Sequence, residues 1–144
     1  MSGMRIAGYA AIFDKPDRGG DVIRKGAFRR ALGQGAQVPL LWQHERGHVI
    51  GRIETLEEDG RGLRVIAEIG DPALAERLGK GALGGLSFGY RVREGRQGAL
   101  RELIDLDLVE VSLVAIPMQP LARVHAVAAG SVAGVADEEE DDGR

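Results

Sequence analysis

The sequence predicts a β-rich α+β protein, in which about six or seven strands form a barrel or curled sheet and two or three short helices lie at its periphery. Short apolar segments with strand-like alternation recur along the chain, and loops of hairpin length containing glycine or proline separate most of them. Only brief stretches show the spacing of an apolar helix face. The 144 residues are enough for one domain with a real core, and because aromatic residues make up only 4%, that core must consist mainly of Leu, Ile, Val and Ala.

Five strands are predicted in the first half of the chain, at residues 5–13, 21–23, 38–44, 49–56 and 63–69. Pro16 and the pair Gly19-Gly20 interrupt the chain between the first two. Pro39 indicates that the third strand begins there or lies at an edge of the sheet. The fourth and fifth strands are predicted to form a hairpin around the turn residues 57–62.

Two helices are predicted from local signals. Residues 26–33 form a compact helix with Phe28 on its apolar side. The second helix runs to about residue 80, because Asp71 can accept hydrogen bonds from the first turn and Pro72 is favoured there. Glycines then end this helix and lead into the next strand.

Two long strands are predicted in the second half. The segment around Ser87 alternates large apolar and polar residues to residue 93, and a turn follows at residues 94–98. An apolar stretch covers residues 100–116 and ends at Pro117.

The domain is predicted to comprise residues 1–127, followed by a flexible small-residue linker and acidic tail over residues 128–144. Residues 137–144 contain six acidic residues and one arginine, a net charge of −5 against −3 for the whole chain. The remaining 136 residues are therefore nearly neutral, at +2. This charge gives no electrostatic basis for nucleic-acid binding.

Composition limits the other classes as well. No apolar run approaches the ~18 residues of a membrane span, and the first residues lack the apolar core of a signal peptide, so no membrane association is expected. The chain has no cysteine, which excludes disulfides, thiolate metal ligands and a cysteine nucleophile, and fits a cytoplasmic compartment.

Ser87 is the candidate nucleophile, because it lies in a Gly-x-Ser-x-Gly motif over residues 85–89. A serine hydroxyl needs a neighbouring base, and His44 is the candidate. The motif is also compatible with an ordinary strand serine between small residues. The α/β-hydrolase elbow is not expected, since that elbow requires a helix after the serine and a histidine downstream of it. Here a strand follows Ser87, and the one later histidine, His125, reads as a surface residue.

Two other motifs are interpreted as coincidental. His44, Glu45 and His48 match the zinc-hydrolase pattern His-Glu-x-x-His, but that chemistry requires a helix to bring both imidazoles to one metal. Gly47 and the strand that follows make a helix improbable here. Residues 79–84 match Gly-x-Gly-x-x-Gly, yet they follow a helix and precede a strand, the reverse of a dinucleotide site. No metal and no cofactor is therefore expected.

Five blocks in order resemble the prohead protease family of tailed bacteriophages, the type that matures HK97-like capsids. They lie at residues 8–13, 19–28, 38–44 with 50–51, 81–90 and 108–120, and the resemblance covers residues 6–125. This family is similar to the herpesvirus capsid-maturation proteases, which implies a herpesvirus-protease-like β-barrel wrapped by helices.

The resemblance also implies site residues. The family's serine falls on Ser87 and its histidine on His44. The third catalytic position of the herpesvirus relatives, at the head of a later apolar strand, falls on Glu110. A carboxylate there can fix the histidine tautomer and stabilise the imidazolium, and it would be costly to bury without a partner. Asp105 and Asp107 are rival carboxylates; Asp107 lies on the opposite strand face if no bulge intervenes.

By the same resemblance, the oxyanion hole is expected around Met118 and Gln119. Herpesvirus relatives carry arginines in this loop and this chain does not; its nearest arginine is Arg123. Backbone amides are then the expected donors.

The function implied is a serine endopeptidase that cleaves scaffold or capsid-protein segments, and itself, during procapsid maturation. The expected setting is the assembling procapsid in the host cytoplasm, with the major capsid protein as a partner and a homodimer as the oligomer. The alternatives are a non-catalytic capsid-assembly module on the same barrel and the zinc hydrolase described above. The chain is short for the family, which fits either a naturally brief C terminus or a trimmed, mature form.

Overall fold

The structure, a computed structural model, describes residues 4–129. Within that range the chain forms eight strands and two short helices. The strands are β1 (Met4–Ile12), β2 (Asp21–Ile23), β3 (Leu40–Trp42), β4 (Val49–Glu58), β5 (Gly62–Ile69), β6 (Gly85–Gln97), β7 (Arg101–Val114) and β8 (Val124–Ala129). The helices are α1 (Arg29–Gly33) and α2 (Pro72–Gly79). The predicted β-rich α+β class is confirmed, with slightly more strands than the six or seven expected.

All eight strands belong to one curled sheet in the order β2-β7-β3-β4-β5-β1-β8, with β6 paired to β7. β7 is its centre, because β6 runs antiparallel along nearly its whole length while β2 and β3 lie parallel to its two ends. Residues 122–124 join the two sides of the curl. Leu86 N–H donates to Ala122 O at 3.0 Å, Val124 N–H donates to Gly84 O at 2.8 Å, and Tyr9 N–H donates to Arg123 O at 3.1 Å.

The core fills the inside of the curl and follows the two-residue period of the strands. On β6 and β7 the fully buried apolar side chains include Leu86, Val111 and Leu113. Phe28 is also fully buried and packs edge-to-face on Phe88, with ring centroids 5.1 Å apart. Burial of each such side chain contributes about 1.5–3 kcal/mol. The alternation sends the intervening residues of β7 to the opposite face of the sheet.

Both predicted helices exist, but the first is shorter than predicted. The chain turns at Gly26, whose φ is +90°, and α1 begins only at Arg29. The prediction for α2 is confirmed, including its cap. The Asp71 carboxylate accepts hydrogen bonds from Ala73 N–H at 3.0 Å and from Leu74 N–H at 3.2 Å.

Several strand ends differ from the prediction, and β8 was not among the predicted strands. β3 stops at Trp42 rather than residue 44, because the next two residues adopt a left-handed backbone conformation. β6 continues through the turn predicted at residues 94–98, because β7 pairs with it as far as Gln97, opposite Arg101. β8 continues to Ala129, two residues beyond the predicted end of the domain, since it pairs with β1. The remainder of the predicted linker and the acidic tail, residues 130–144, lie outside the described residues.

No helix in the described part of the chain has the length and apolar character needed to cross a lipid bilayer.

Candidate active site

The pairing of β6 with β7 brings Ser87, Ser112 and Glu110 to one face of the sheet. Ser87 lies directly opposite Ser112, and Gly89 lies directly opposite Glu110. Directly opposed residues project to the same side, and residues two apart on a strand share a face. Because Val111 enters the core, Glu110 and Ser112 occupy the outer face, beyond the apolar interior.

The second glycine of the Gly-x-Ser-x-Gly motif makes room for a carboxylate. A Cβ on Gly89 would lie 3.0 Å from both Cγ and Cδ of Glu110 and would overlap the carboxylate oxygen Oε2. Real Cβ atoms do not make such contacts, so a side chain at position 89 would displace Glu110. The space beside Gly89 is therefore filled by the Glu110 side chain.

His44 is held in a tight turn between β3 and β4. Gln43 and His44 have φ values of +52° and +60°, a left-handed conformation that costs a non-glycine residue about 1–2 kcal/mol. β7 and Ala115, the residue that follows it, hold this turn with three hydrogen bonds. Gln43 N–H donates to Leu113 O at 3.0 Å, Ala115 N–H donates to Gln43 Oε1 at 2.8 Å, and His44 N–H donates to Ser112 Oγ at 3.0 Å. The turn therefore presents the imidazole above the outer face of β7.

The imidazole of His44 and the carboxylate of Glu110 form a hydrogen-bonded pair through Nδ1 and Oε2. The other carboxylate oxygen, Oε1, accepts a hydrogen bond from the Ser112 hydroxyl at 2.6 Å. The Glu110 side chain is 9% exposed, whereas that of His44 is 43% exposed. The hydrogen bond to Glu110 raises the pKa of His44, partial burial of the ring opposes this, and the negative charge of Glu110 adds to the increase. With Nδ1 engaged, Nε2 is the nitrogen left to exchange protons.

Ser87 and His44 line the same cleft, which has a volume of about 640 Å³. Ser87 itself is largely buried. Both faces of β6 contribute to this cleft, with Ser87 from the outer face and Phe88 and Tyr90 from the inner face, so the cleft runs along the strand edge that β7 leaves open. The other lining residues are Ala10, Asp17, Arg18, Gly19, Ile23, Gln43, Val114, Ile116, Met118 and Gln119.

Within residues 4–129, no hydrogen bond joins the Ser87 hydroxyl to His44. Catalytic hydrogen bonds in substrate-free enzymes are often long and tighten only when substrate binds. The structure thus brings the predicted serine and histidine to one cleft, and it joins the histidine to the predicted glutamate.

The rival carboxylates Asp105 and Asp107 are bound elsewhere. Arg30 Nε donates to Asp105 Oδ2 at 3.0 Å, and Asp107 contacts Arg30 at 2.6 Å and Arg93 at 2.7 Å. The hydrogen bond to Arg30, and then that to Arg93, hold the pKa of Asp107 below its usual value. A bulge does intervene in this strand, because Leu108 pairs with Tyr90 while Glu110 pairs with the adjacent Gly89. Such bulges re-aim side chains.

Met118 and Gln119, predicted to lie at the oxyanion hole, both line the cleft. In the described part of the chain, neither backbone N–H has a hydrogen-bond acceptor. The Gln119 side chain is buried and ties its loop together: its Nε2 donates to Lys15 O at 3.3 Å, and its Oε1 accepts from Leu121 N–H at 2.7 Å.

An arginine that the sequence analysis did not single out supports this loop. Arg18 donates from its backbone N–H to Met118 O at 2.8 Å and from its side-chain Nε to Pro117 O at 2.9 Å. Arg123, which is closer in sequence, instead forms an isolated β-bridge with Gly85, where the two sides of the curled sheet meet. Arg18 and Pro117 are 99 residues apart, and no local pattern signals their contact.

Residues 43–48 form turns rather than a helix, so the geometry that a His-Glu-x-x-His zinc site requires is not present there. His48 Nδ1 lies 3.1 Å from Glu45 Oε1, and His44 is paired with Glu110 instead. Among the residues described, no group of three or more His, Asp or Glu side chains is arranged to hold a metal ion.

A buried carboxylate, a histidine bonded to it, and a serine in the same cleft form the set of groups that serine hydrolases use. The chain belongs to the caudovirus prohead serine protease family, whose model matches residues 1–137. A curated relative, the prohead protease of Enterobacteria phage HK97, is 33% identical over 92 residues, which cover 59% of this chain and 41% of the relative. The chain thus spans less than half of that relative's length.

Two solved structures are similar in fold. KSHV protease, in complex with a hexapeptide phosphonate inhibitor, is 14% identical, with a TM-score of 0.48 over 78% of this chain and 59% of the other. Varicella-zoster virus protease is 17% identical, with a TM-score of 0.47 over 76% of this chain and 63% of the other.

Proposed function

We propose that this protein is a serine endopeptidase of procapsid maturation, in which Ser87 is the nucleophile, His44 the general base and Glu110 the residue that orients His44. One observation carries this proposal. The chain belongs to a serine protease family, and His44 Nδ1 is hydrogen-bonded to the buried carboxylate of Glu110. His44 lines the same cleft as Ser87. The hydrogen bond to Glu110 places the proton of neutral His44 on Nδ1 and leaves the Nε2 lone pair to act as base.

The proposed reaction is acyl transfer. Ser87 Oγ attacks the carbonyl carbon of the scissile peptide while its proton moves to His44 Nε2. The tetrahedral intermediate collapses, the C–N bond breaks, and His44 returns the proton to the leaving amine. A water molecule then attacks the acyl-serine, His44 accepts its proton, and that proton goes back to Ser87 Oγ as the carboxylic acid product leaves. Glu110 stabilises the imidazolium in both halves without taking the proton.

The backbone N–H groups of Met118 and Gln119 are the proposed donors to the oxyanion. Both residues line the cleft, and both N–H groups lack an acceptor in the described structure. Donors of this kind typically lower the barrier by about 3–4 kcal/mol. The support of this loop by Arg18 means that its position depends on a second loop, residues 14–20.

We propose that the substrate binds as an extended strand along the open edge of β6. In the described part of the sheet, β6 pairs with β7 on one edge, and the other edge carries only the bridge from Gly85 to Arg123. Ser87, Phe88 and Tyr90 line the cleft next to this edge. An extended peptide added to such an edge gains main-chain hydrogen bonds, and its alternate side chains enter neighbouring pockets.

The proposed substrates are segments of the major capsid protein or scaffold and the protease chain itself, cleaved inside the assembling procapsid in the host cytoplasm. We further propose that the active form is a homodimer, and that it requires neither a nucleic acid nor a membrane. Light scattering across a concentration series, with activity measured at each step, tests the dimer. A protein that stays monomeric and fully active at high concentration would contradict the proposed homodimer.

The function itself is tested by co-expressing this chain with the proposed capsid-protein substrate and identifying the products by mass spectrometry. Cleavage that is lost with Ser87→Ala, insensitive to chelators and blocked by a serine-directed phosphonate supports the proposal. Capsid binding without cleavage or phosphonate labelling would instead establish a non-catalytic assembly module. Activity lost on chelation and restored by zinc would establish the metal hydrolase.

A further inference from the structure

Ser112 is a fully buried polar residue in a strand whose neighbouring residues fill the core. It is 0% exposed, between Val111 and Leu113, and it does not line the cleft. A buried hydroxyl is costly unless it is hydrogen-bonded. The Ser112 hydroxyl acts both as acceptor and as donor: it accepts a hydrogen bond from His44 N–H at 3.0 Å and donates one to Glu110 Oε1 at 2.6 Å.

These bonds close a ring of three residues. Ser112 Oγ bonds to Glu110 Oε1, Glu110 Oε2 bonds to His44 Nδ1, and the His44 backbone N–H returns to Ser112 Oγ. The direction of each bond is determined by chemistry. A backbone N–H can only donate, so Ser112 Oγ accepts there and has its own proton free for the carboxylate. The carboxylate accepts at both oxygens, which requires the proton of neutral His44 to be on Nδ1.

The same ring links the conformation of the His44 turn to the orientation of Glu110. The turn has left-handed φ values at Gln43 and His44, which the structure around it must maintain. Of the hydrogen bonds from β7 to this turn, that of Ser112 is the one made to the backbone of His44. Removal of the hydroxyl frees the carboxylate to rotate and the histidine backbone to relax at the same time.

We propose that Ser112 is a positioning residue of the active site: its hydroxyl holds the Glu110 carboxylate and the His44 backbone in the mutual geometry that makes Nε2 the base. The inference rests on the proposed function for its effect on catalysis. Its effect on His44 can be measured without catalysis. Ser112 does not contact substrate, so it acts through its two neighbours.

The test compares Ser112→Ala with Val65→Ala, a truncation at a fully buried position on β5 that does not line the cleft. In Ser112→Ala, we expect kcat to fall about 10- to 100-fold with KM within about twofold of wild type, because one bond to a charged group is lost and the substrate contacts remain. Ser112→Cys keeps a weak donor of similar size, and its kcat should lie between those of wild type and Ser112→Ala. Val65→Ala should lower the melting temperature and leave kcat within about twofold.

The second readout is the NMR titration of His44, made in a Ser87→Ala background so that it does not depend on activity. Ser112→Ala should move the titration midpoint of His44 down toward that of an ordinary histidine, because Glu110 no longer stays at Nδ1. Val65→Ala should leave that midpoint unchanged. An unchanged His44 midpoint in Ser112→Ala, or a loss of kcat no larger than that of an equally destabilised Val65→Ala, would overturn the proposal. A shifted midpoint in a protein that proves to have no Ser87-dependent activity would refute the proposed function and leave the positioning role intact.

Discussion

The two halves of the candidate site are held in different ways. His44 and Glu110 are bonded to each other and to β7, at the centre of the sheet, and Glu110 is only 9% exposed. Met118, on the proposed oxyanion side, is 51% exposed, and Ile116 in the same loop is 74% exposed. That loop is held by another loop, through Arg18 and Gln119. The proposed base is therefore held by the central strand β7, whereas the proposed anion-binding side depends on contacts between loops.

This comparison predicts where substitutions act. Changes in the sheet half should alter the protonation behaviour of His44 as well as the rate. Changes in the loop half should reduce the rate and leave the protonation of His44 unchanged. Four predictions test this separation, from the largest expected effect to the smallest.

Ser87→Ala and His44→Ala should each abolish cleavage and leave the fold intact, since each removes a reacting group that the other members of the site cannot replace. Losses of this kind reach about 10⁶-fold in related triads. Product formation by mass spectrometry measures the activity, and circular dichroism checks the fold. His48→Ala is the control and should retain most activity. Equal losses from the two histidine variants, restored by zinc, would contradict the assignment.

Glu110→Gln should lower kcat by up to about 10⁴-fold, because an amide cannot stabilise the imidazolium and can favour the wrong tautomer. His44 acts as a base only when neutral, and Glu110 raises its pKa. Activity in the wild type should therefore appear only as the pH rises through a value above the ordinary ~6.5 for histidine, and this limb should move to lower pH in Glu110→Gln. A pH profile of kcat/KM measures the shift.

Asp107→Asn is the control for that substitution, because Asp107 is bound to Arg30 and Arg93 and is not paired with His44. It should keep nearly normal turnover. If Asp107→Asn were inactive and Glu110→Gln nearly normal, Asp107 rather than Glu110 would be the carboxylate that orients His44.

Gly89→Ala should lower kcat by about 10²- to 10³-fold, less than removal of the Glu110 carboxylate, because the new Cβ displaces Glu110 without eliminating it. Gly84→Ala is the matched control, since a Cβ there meets no atom within 4 Å. Steady-state kinetics and melting temperatures of both variants separate catalysis from stability. Full activity in Gly89→Ala would mean that the position of Glu110 is not important.

Arg18→Ala should lower kcat about 10-fold, because the loop of Met118 and Gln119 loses a side-chain hydrogen bond but keeps the backbone bond of residue 18. The His44 limb of the pH profile should not move. Arg123→Ala is the control, because the hydrogen bonds described for Arg123 involve its backbone. A moved limb in Arg18→Ala would contradict the separation of the two halves.

The sequence by itself determined those features that depend on only a few neighbouring residues. Strand alternation, glycine and proline turns and the Asp71 cap depend on local backbone preference, and they placed most strands and both helices. The Gly-x-Ser-x-Gly motif and the family resemblance singled out Ser87, His44 and Glu110. They could not show why Gly89 is a glycine, because its neighbour is a side chain on another strand.

Only the tertiary structure decided which groups meet. The bulge in β7 between Leu108 and Glu110 brings Asp107 and Glu110 to one face of the sheet, because a one-residue change of register inverts the side chains beyond it. The contacts of Ser112 with His44 and of Arg18 with Pro117 carry no local signal either, since they join residues 68 and 99 positions apart in the chain. Local preference acts over a few bonds, whereas these contacts exist only after the sheet has curled and paired.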